Sequence, residues 1–538
     1  MTQHVFKKLI KKNAQVIQKN WLLAILWLIL LSTRLPIVFS QVIPFSFDHG
    51  KDSLAVLNMI LNLKPKLVGP WTSVPGLYFG PAWFYLLLPI FVLTAGHPAA
   101  PILLMILILG VQIYLAYQYF GKLTAIIITS SPIWWTISTS AWNPFPMTLI
   151  SLIILIIIKK IINQRSITSK QLVILAVAAG LGFHFSSAFA IFYPILISLS
   201  LIIRKIKLSW QQVFLSLLSF LLPFVPQLIF EFRHNFWQTK ALLTYLQIGA
   251  TTAISLTKIK AITLMTLKEL RLAFWVLELN SSYPLLNQVF NLAVLLFFIL
   301  IGLLLGYLAW CCRSSWSWSK LKNTLIPEFI SWLLLPLIGF WFLHFNVWYL
   351  LGMMPIIVII IGQAFKFISE NLNKQIFTII YSLLLILTPL YHLKNFYDFN
   401  KIQLAKQRQF LSIKLQALAW IRQQSHGQSF AAYHYVPEVY DFAYQYLYFW
   451  QALAGQPLPT EFAYQPQATD YVPHKKALLR FFVRQPQPPP TMIFYIVEQP
   501  TESALLKEWW SRQQFAKIIK ELKLSDQLTV YQASVNDD

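Results

Sequence analysis

Apolar runs of bilayer length, separated only by short basic clusters, decide what this 538-residue chain can become. Trp21 to Leu31, Ile102 to Tyr117 and Leu292 to Leu308 lie in three of them. A helix needs about 20 apolar residues to cross a hydrocarbon core, whereas a helix on a globular core keeps one polar face. With 57% hydrophobic and 12% charged residues, the chain reads as an integral membrane protein of mainly α class, a polytopic helical protein with about 11 to 13 spans.

The charge pattern gives an orientation. A net charge of +24 would suggest nucleic acid in a soluble protein, but the basic excess lies before residue 395, in loops such as Lys159-Lys160, Arg204 to Lys207, Arg313 to Lys322 and Lys366. This is the positive-inside pattern, suited to anionic membrane lipids and calling for no nucleic acid. Lys7, Lys8, Lys11, Lys12 and Lys19 precede the first run without a small-residue cleavage site, so the first span is expected to stay as an anchor with a cytoplasmic N-terminus. Cys311 and Cys312, the two cysteines, offer neither a disulfide framework nor zinc spacing.

Residues 35 to about 80, rich in Pro, Gly and aromatics, form a large first exported loop. Apolar runs follow at 81–96, 99–119, 122–140 and 146–158. Four full passes from an exported loop would end outside, yet Lys159, Lys160, Arg165 and Lys170 require the inside. One run is therefore re-entrant, interfacial or merged with a neighbour. The 171–203 stretch predicts two short helices meeting near Gly182 to Ser187, and 211–230 predicts another pass. Residues 231–285 read as a second exported loop with an interfacial helix over Thr266 to Glu278, and the last passes fall near 286–309, 327–343, 347–365 and 376–391. An odd number of passes places the tail outside. The chain divides into a transmembrane domain, 1–394, and an exported C-terminal domain, 395–538, of mixed α and β character. Alternation over Thr491 to Val497 predicts a strand, while Leu404 to Arg422 and Ser503 to Leu522 predict helices.

Acidic residues point to chemistry. Asp48 and Asp52 lie in the first exported loop, and only Glu231, Glu269, Glu278, Glu328 and Glu370 follow before Asp398. Four residues apart, the two Asp share a face if the segment is helical. A carboxylate beside apolar material at a membrane surface can act as a general base or orient a metal or hydroxyl; export geometry alone is the plainer role. His49 can assist either role. Trp71, Pro75, Tyr78, Gly80, Pro81 and Trp83 make a stiff aromatic lead-in to the next helix, whose rings can stack on a sugar or anchor the bilayer interface. Asn143, in Trp142-Asn-Pro144, can bond a polar headgroup or form a turn. His184 sits in an apolar run, where an ionisable group needs a cavity or a partner. Glu231 and Arg233 can form an ion pair or a phosphate clamp. Arg34 and His344 complete the polar set near the outer face. No nucleotide-binding glycine loop occurs, which argues against ATP-driven transport.

Phe47-Asp-His-Gly-Lys-Asp52, Phe79-Gly-Pro81-Ala-Trp-Phe-Tyr85, Trp142-Asn-Pro144 and Gly180-Leu-Gly-Phe-His184 resemble the multi-spanning GT-C glycosyltransferases, in particular the protein mannosyltransferase and lipid A aminoarabinose transferase group, over roughly residues 20 to 395. The resemblance implies a polyprenyl-phosphate-linked sugar as donor, a glycan, lipid or protein as acceptor, and an inverting transfer on the exported face of the cell membrane. It implies an acidic first-loop residue as base, here Asp48 with Asp52 second, and Arg233 or His184 on the phosphate side. Several family members carry adjacent loop carboxylates, whereas Lys51 precedes Asp52 here and four positions separate the two Asp, so the base and any divalent metal ion stay open. The alternative reading is a transporter or flippase for lipid-linked sugars, which would be expected to show an internal repeat and charged, broken helices near the midplane.

Overall fold

The computed structural model describes residues 2–247, 255–273, 324–371 and 407–534, apart from short gaps at 439, 469, 484–487, 500–502 and 514–516, and four single positions between 372 and 406. The protein is a mainly α-helical polytopic membrane protein. Among the described residues, five helical segments are long and apolar enough to cross a bilayer, and four shorter apolar helices accompany them. The expected pass near 286–309, that near 376–391 apart from position 390, the cysteine pair, and the residues 395–406 that follow the expected domain boundary lie outside the described residues.

The first span is the apolar half of α1 (Thr2–Phe39). Helix α2 (Phe47–Asn62) follows in the first loop, then α3 (Ala82–Leu93), α4 (Ala100–Phe120), α5 (Lys122–Ser130), α6 (Pro132–Ser140) and α7 (Met147–Gln164). The contacts resolve the conflict in the charge pattern. The start of α3 meets His184 and the turn after it meets Tyr446 of the C-terminal region, through Ala82 N–H to His184 Nδ1 and the Tyr446 hydroxyl to Gly96 O. Both ends of α3 therefore lie on one face of the protein, and its 12 residues extend about 18 Å, well short of a crossing. Next, α4 descends to the opposite face, where Lys159 reaches Tyr119 O and Gln363 donates to Phe120 O. Helices α5 and α6 return as one broken pass, and α7 carries Lys159 and Lys160 back down.

Pro132 breaks that returning pass. It has no N–H, and the next donor, Ile133 N–H, turns to Leu272 O at 3.2 Å, as does the Ser131 hydroxyl at 2.9 Å. The Thr129 carbonyl, so released, accepts from Arg34 at 3.3 Å. The break is thus satisfied from two neighbouring elements, as a membrane interior demands.

Helices α8 (Ser169–Phe185), α9 (Ser187–Ala190) and α10 (Phe192–Ile203) form the expected pair meeting at Ser186. The Gly180–His184 motif lies at the end of α8. A long segment, α11 (Trp210–Leu221) and α12 (Val225–Arg233) joined by a 3-10 turn, leads to α13 (Trp237–Gln247). Of the interfacial helix expected at 266–278, residues 274–278 lie outside the described residues; α14 (Leu256–Arg271) starts ten residues earlier, buries Thr266 and Leu270 and ends at the α5–α6 break. Helix α15 (Ile326–Phe342), a 3-10 stretch (Val347–Met353) and α16 (Met354–Asn371) complete the described spans. On the basic face, Arg204 grips Glu328 at 2.6 and 2.7 Å, with Ser200 donating to the same carboxylate at 2.7 Å.

The C-terminal region is an α/β unit. Its helices are α17 (Leu411–Ser425), α18 (Phe442–Leu453), α19 (Lys475–Phe482) and α20 (Ser503–Ser511), and its strands β1 (Phe430–Tyr435), β2 (Glu461–Ala463), β3 (Met492–Glu498), β4 (Ile518–Ser525) and β5 (Leu528–Ser534). The sheet order is β2-β1-β3-β5-β4, parallel among β2, β1 and β3 and antiparallel beyond. The strand expected near 491–497 is present. The helix expected over 503–522 ends at Ser511; Ile518 onward hydrogen-bonds as an edge strand, tertiary pairing overriding a helix-compatible composition. The unit docks on the first loop through Phe45 N–H to Gln409 O at 2.7 Å and Leu411 N–H to Ile43 O at 2.9 Å.

Candidate active site

The site is built on α2, held between the spans and the C-terminal unit. Ser46 begins it: its N–H donates to His49 Nδ1 at 3.2 Å, so the imidazole does the work of a capping-box glutamate. His49 Nε2 lies 2.6 Å from Ser140 O. A carbonyl only accepts, so Nε2 carries the proton and Nδ1 does not. Burial holds the His49 pKa below its usual range, and this neutral ring is a strut from α2 to α6. From the other side, Glu438 Oε2 accepts from Phe47 N–H at 2.6 Å. Gly50 lies against the backbone of Phe442, where a Cβ would come within 2.3 Å of its carbonyl carbon; only glycine lets α18 seat on α2.

Asp48 stands in the first turn of α2, and its Oδ1 accepts from Lys51 Nζ at 2.8 Å. Lys51 is nearly buried at 8% exposure while Asp48 keeps 39%, and the ammonium lies 4.9 Å from the Phe47 ring centre and 5.1 Å from that of Trp71. Both side chains line a cavity of about 450 Å³ that opens among the span ends, with Asn143, His344, Trp348 and Tyr349 on its walls. A second cavity of about 250 Å³ adjoins it, sharing Lys51, Pro70 and Trp71, with Tyr78, Lys66 and His474 beyond.

Asp52 does not join Asp48. It is 6% exposed, its Oδ2 accepts from Trp83 Nε1 at 2.9 Å, its Oδ1 is unpartnered, and it lines neither cavity. Burial pushes its carboxyl up to about 7, reinforced by Asp48 and opposed by Lys51. The two aspartates therefore do not form a shared metal ligand set, and no cluster of three or more His, Cys, Asp or Glu suited to a metal occurs among the described residues.

The other sequence candidates divide between cavity and scaffold. Asn143 lines the larger cavity and donates to Phe185 O at 3.2 Å; His344 lines it too. Tyr78 lines the smaller one, its backbone fixed by Gln238 and Gln227. Arg34 is buried away from both, bonded to Thr33, Ser138 and Thr129 and lying 4.5 Å over Trp135. His184 accepts from Ala82 N–H at 3.2 Å, its ring pressed against Gly80, and it lines neither cavity. Glu231 accepts from Gln238 N–H, Thr239 N–H and the Thr239 hydroxyl, at 2.7 to 3.0 Å, capping α13 rather than clamping Arg233, which is exposed. Lys51, Lys66, Tyr349 and His474 were not among the sequence candidates. Lys51 alone carried a signal, an ammonium three residues from a carboxylate on a helical face; His474 arrives from more than 400 positions away.

The fold has a counterpart. The crystal structure of ArnT from Cupriavidus metallidurans bound to undecaprenyl phosphate superposes with a TM-score of 0.50 at 10% sequence identity, over 96% of this chain and 98% of that one. The apo crystal structure of the same protein gives 0.48 at 11% identity, over 97% and 98%. No protein-family model matches the chain, and no curated protein matches it. At this identity the likeness is one of fold alone.

Proposed function

We propose that this protein is an inverting glycosyltransferase that moves a sugar from a polyprenyl-phosphate donor to an acceptor hydroxyl, and that the α2 face is extracytoplasmic while the face of Lys159, Lys160 and Arg204 is cytoplasmic. The observation that carries the reading is the meeting of an accessible carboxylate, Asp48, and a nearly buried ammonium, Lys51, in one cavity between the span ends and the exported loop. Such a cavity suits a substrate with a lipid tail in the bilayer and a polar head at its surface. The undecaprenyl phosphate bound to the ArnT of shared fold supports a lipid phosphate as the leaving group.

In this mechanism the acceptor oxygen attacks the anomeric carbon, the carbon–oxygen bond to the phosphate breaks with both electrons going to the phosphate oxygen, and the hydroxyl proton passes to Asp48. One displacement inverts the centre. Lys51 holds Asp48 through Oδ1, leaving Oδ2 for the hydroxyl, and its charge offsets the negative charge growing on the departing phosphate. Asn143 and His344 supply hydrogen bonds to the sugar or phosphate. Asp52, turned to Trp83, keeps α2 seated on α3. The test follows release of polyprenyl phosphate and transfer of labelled sugar from a panel of polyprenyl-phosphate sugars, with extracted envelope material as acceptor. Turnover by the wild type and its loss in Asp48→Asn supports the reading; a wild type that turns over no donor but moves it across a bilayer favours the flippase.

A further inference from the structure

We propose that the smaller cavity, between the first loop and the C-terminal unit, is an anion site that takes a phosphate monoester on the acceptor, with Lys66 and His474 as the groups that hold it; its assignment to the acceptor rests on the transferase reading above. Beside the Tyr78 phenol, the ionisable residues lining this cavity are the nitrogen bases Lys51, Lys66 and His474, and among the described residues no carboxylate lines it. Lys51 is already paired with Asp48. Lys66 Nζ instead faces His474 Nε2. An ammonium only donates, so the imidazole accepts and is neutral. Burial brings Lys66 down to about 8; His474 keeps one side exposed to solvent, and its pKa is lowered by desolvation where it packs and by the neighbouring Lys66 charge. Two nitrogen bases pressed together without a counter-charge are what an entering anion would relieve: a phosphate between them would favour the charged form of each and accept charge-assisted hydrogen bonds from both.

The framework holds both groups in place. The Lys66 carbonyl accepts from the Tyr85 hydroxyl at 2.9 Å, fixing the loop to α3. His474 adopts a left-handed backbone, φ 64°, immediately before α19, a costly conformation for a residue with a Cβ and one concentrated at functional sites. The location separates the two substrates. The larger cavity lies among the span ends, where a lipid donor's head would sit, whereas the smaller one is roofed by Pro473 and His474 of the C-terminal unit. The two meet at Lys51 and Trp71, so an acceptor held at Lys66 would present a hydroxyl toward Asp48 from the far side of that wall.

The full-length protein in nanodiscs of zwitterionic lipid, without donor, is titrated with glucose 6-phosphate while the ³¹P linewidth is followed. Wild type should broaden the signal, Asp48→Asn, which frees Lys51, at least as strongly, and Lys66→Gln and His474→Gln, matched to wild type in thermal stability, should each weaken binding at least tenfold. Competition by phosphatidic acid added to the nanodisc would mark a lipid acceptor, and its lack a glycan phosphate; either result fits the site. No broadening by wild type at millimolar probe, or equal broadening by both variants, overturns it. Because Asp48 is not needed for binding, failure here is separable from failure of the transferase reading. Where turnover is measurable, Lys66→Gln should raise the KM for acceptor and leave that for donor unchanged; a rise in donor KM alone would assign the cavity to the donor phosphate and overturn the acceptor role.

Discussion

Replacing Asp52 with Asn should stabilise the protein at neutral and alkaline pH and barely alter it in acid. The carboxyl is buried at 6% exposure, with one oxygen on Trp83 Nε1 and the other unpartnered, and burial pushes its pKa up to about 7. In the unfolded chain the same group titrates near 4. Below that value both states hold the proton and no cost arises. As pH rises toward 7 the native state binds more protons than the unfolded one, so stability falls, and above 7 the full penalty is present. At about 1.4 kcal/mol per pH unit the gap from 4 to 7 amounts to about 4 kcal/mol. Asn is neutral at every pH, keeps an acceptor for Trp83, and leaves one buried polar atom unpaired as the protonated acid does. Thermal unfolding of wild type and D52N in nanodiscs at pH 4.5, 6 and 8 should show transitions close together at pH 4.5 and D52N increasingly the higher toward pH 8. A gap that does not change with pH, or D52N less stable at pH 8, would refute the burial argument.

Gly50→Ala should loosen the C-terminal unit from α2, because its Cβ would meet the Phe442 backbone; with roughly 1–3 kcal/mol of overpacking, amide hydrogen exchange in α2 and α18 should be faster than in wild type. His49→Ala loses both the capping bond to Ser46 and the strut to Ser140, and should cost roughly 1–2 kcal/mol in thermal or denaturant unfolding. Glu328→Gln leaves the Arg204 guanidinium buried without its carboxylate, and should cost about 3–5 kcal/mol with no change in substrate KM for the protein that remains folded.

Much of the membrane architecture was legible because apolar run length and basic flanks act locally. The flanks even showed that one of the four runs after the first loop could not be a full pass. They did not show that it was α3, since that depends on Tyr446 and His184 meeting its two ends. The Asp48–Asp52 spacing gave one face only on the condition of a helix, which α2 meets, and the one-turn separation concealed that Trp83 draws Asp52 into the core while Asp48 stays at the cavity. Polar residues in apolar surroundings proved a mixed guide. His184, Arg34 and Glu231 satisfy backbone groups at a loop, a proline break and a helix start, demands that arise only after the helices have packed. Strand β4 was hidden because an edge strand with mixed charges is fixed by its partner β5 rather than by its own pattern.

The central claim is that Asp48 removes the acceptor proton at the α2 cavity. Equal amounts of wild type and D48N, matched by thermal unfolding, should be compared for polyprenyl-phosphate release and sugar transfer across the donor panel. The account predicts that D48N retains donor binding and loses transfer by at least the roughly 10²-fold expected when a general base is removed, while D52N keeps most of its activity. Full activity in D48N, or loss in D52N alone, would contradict it.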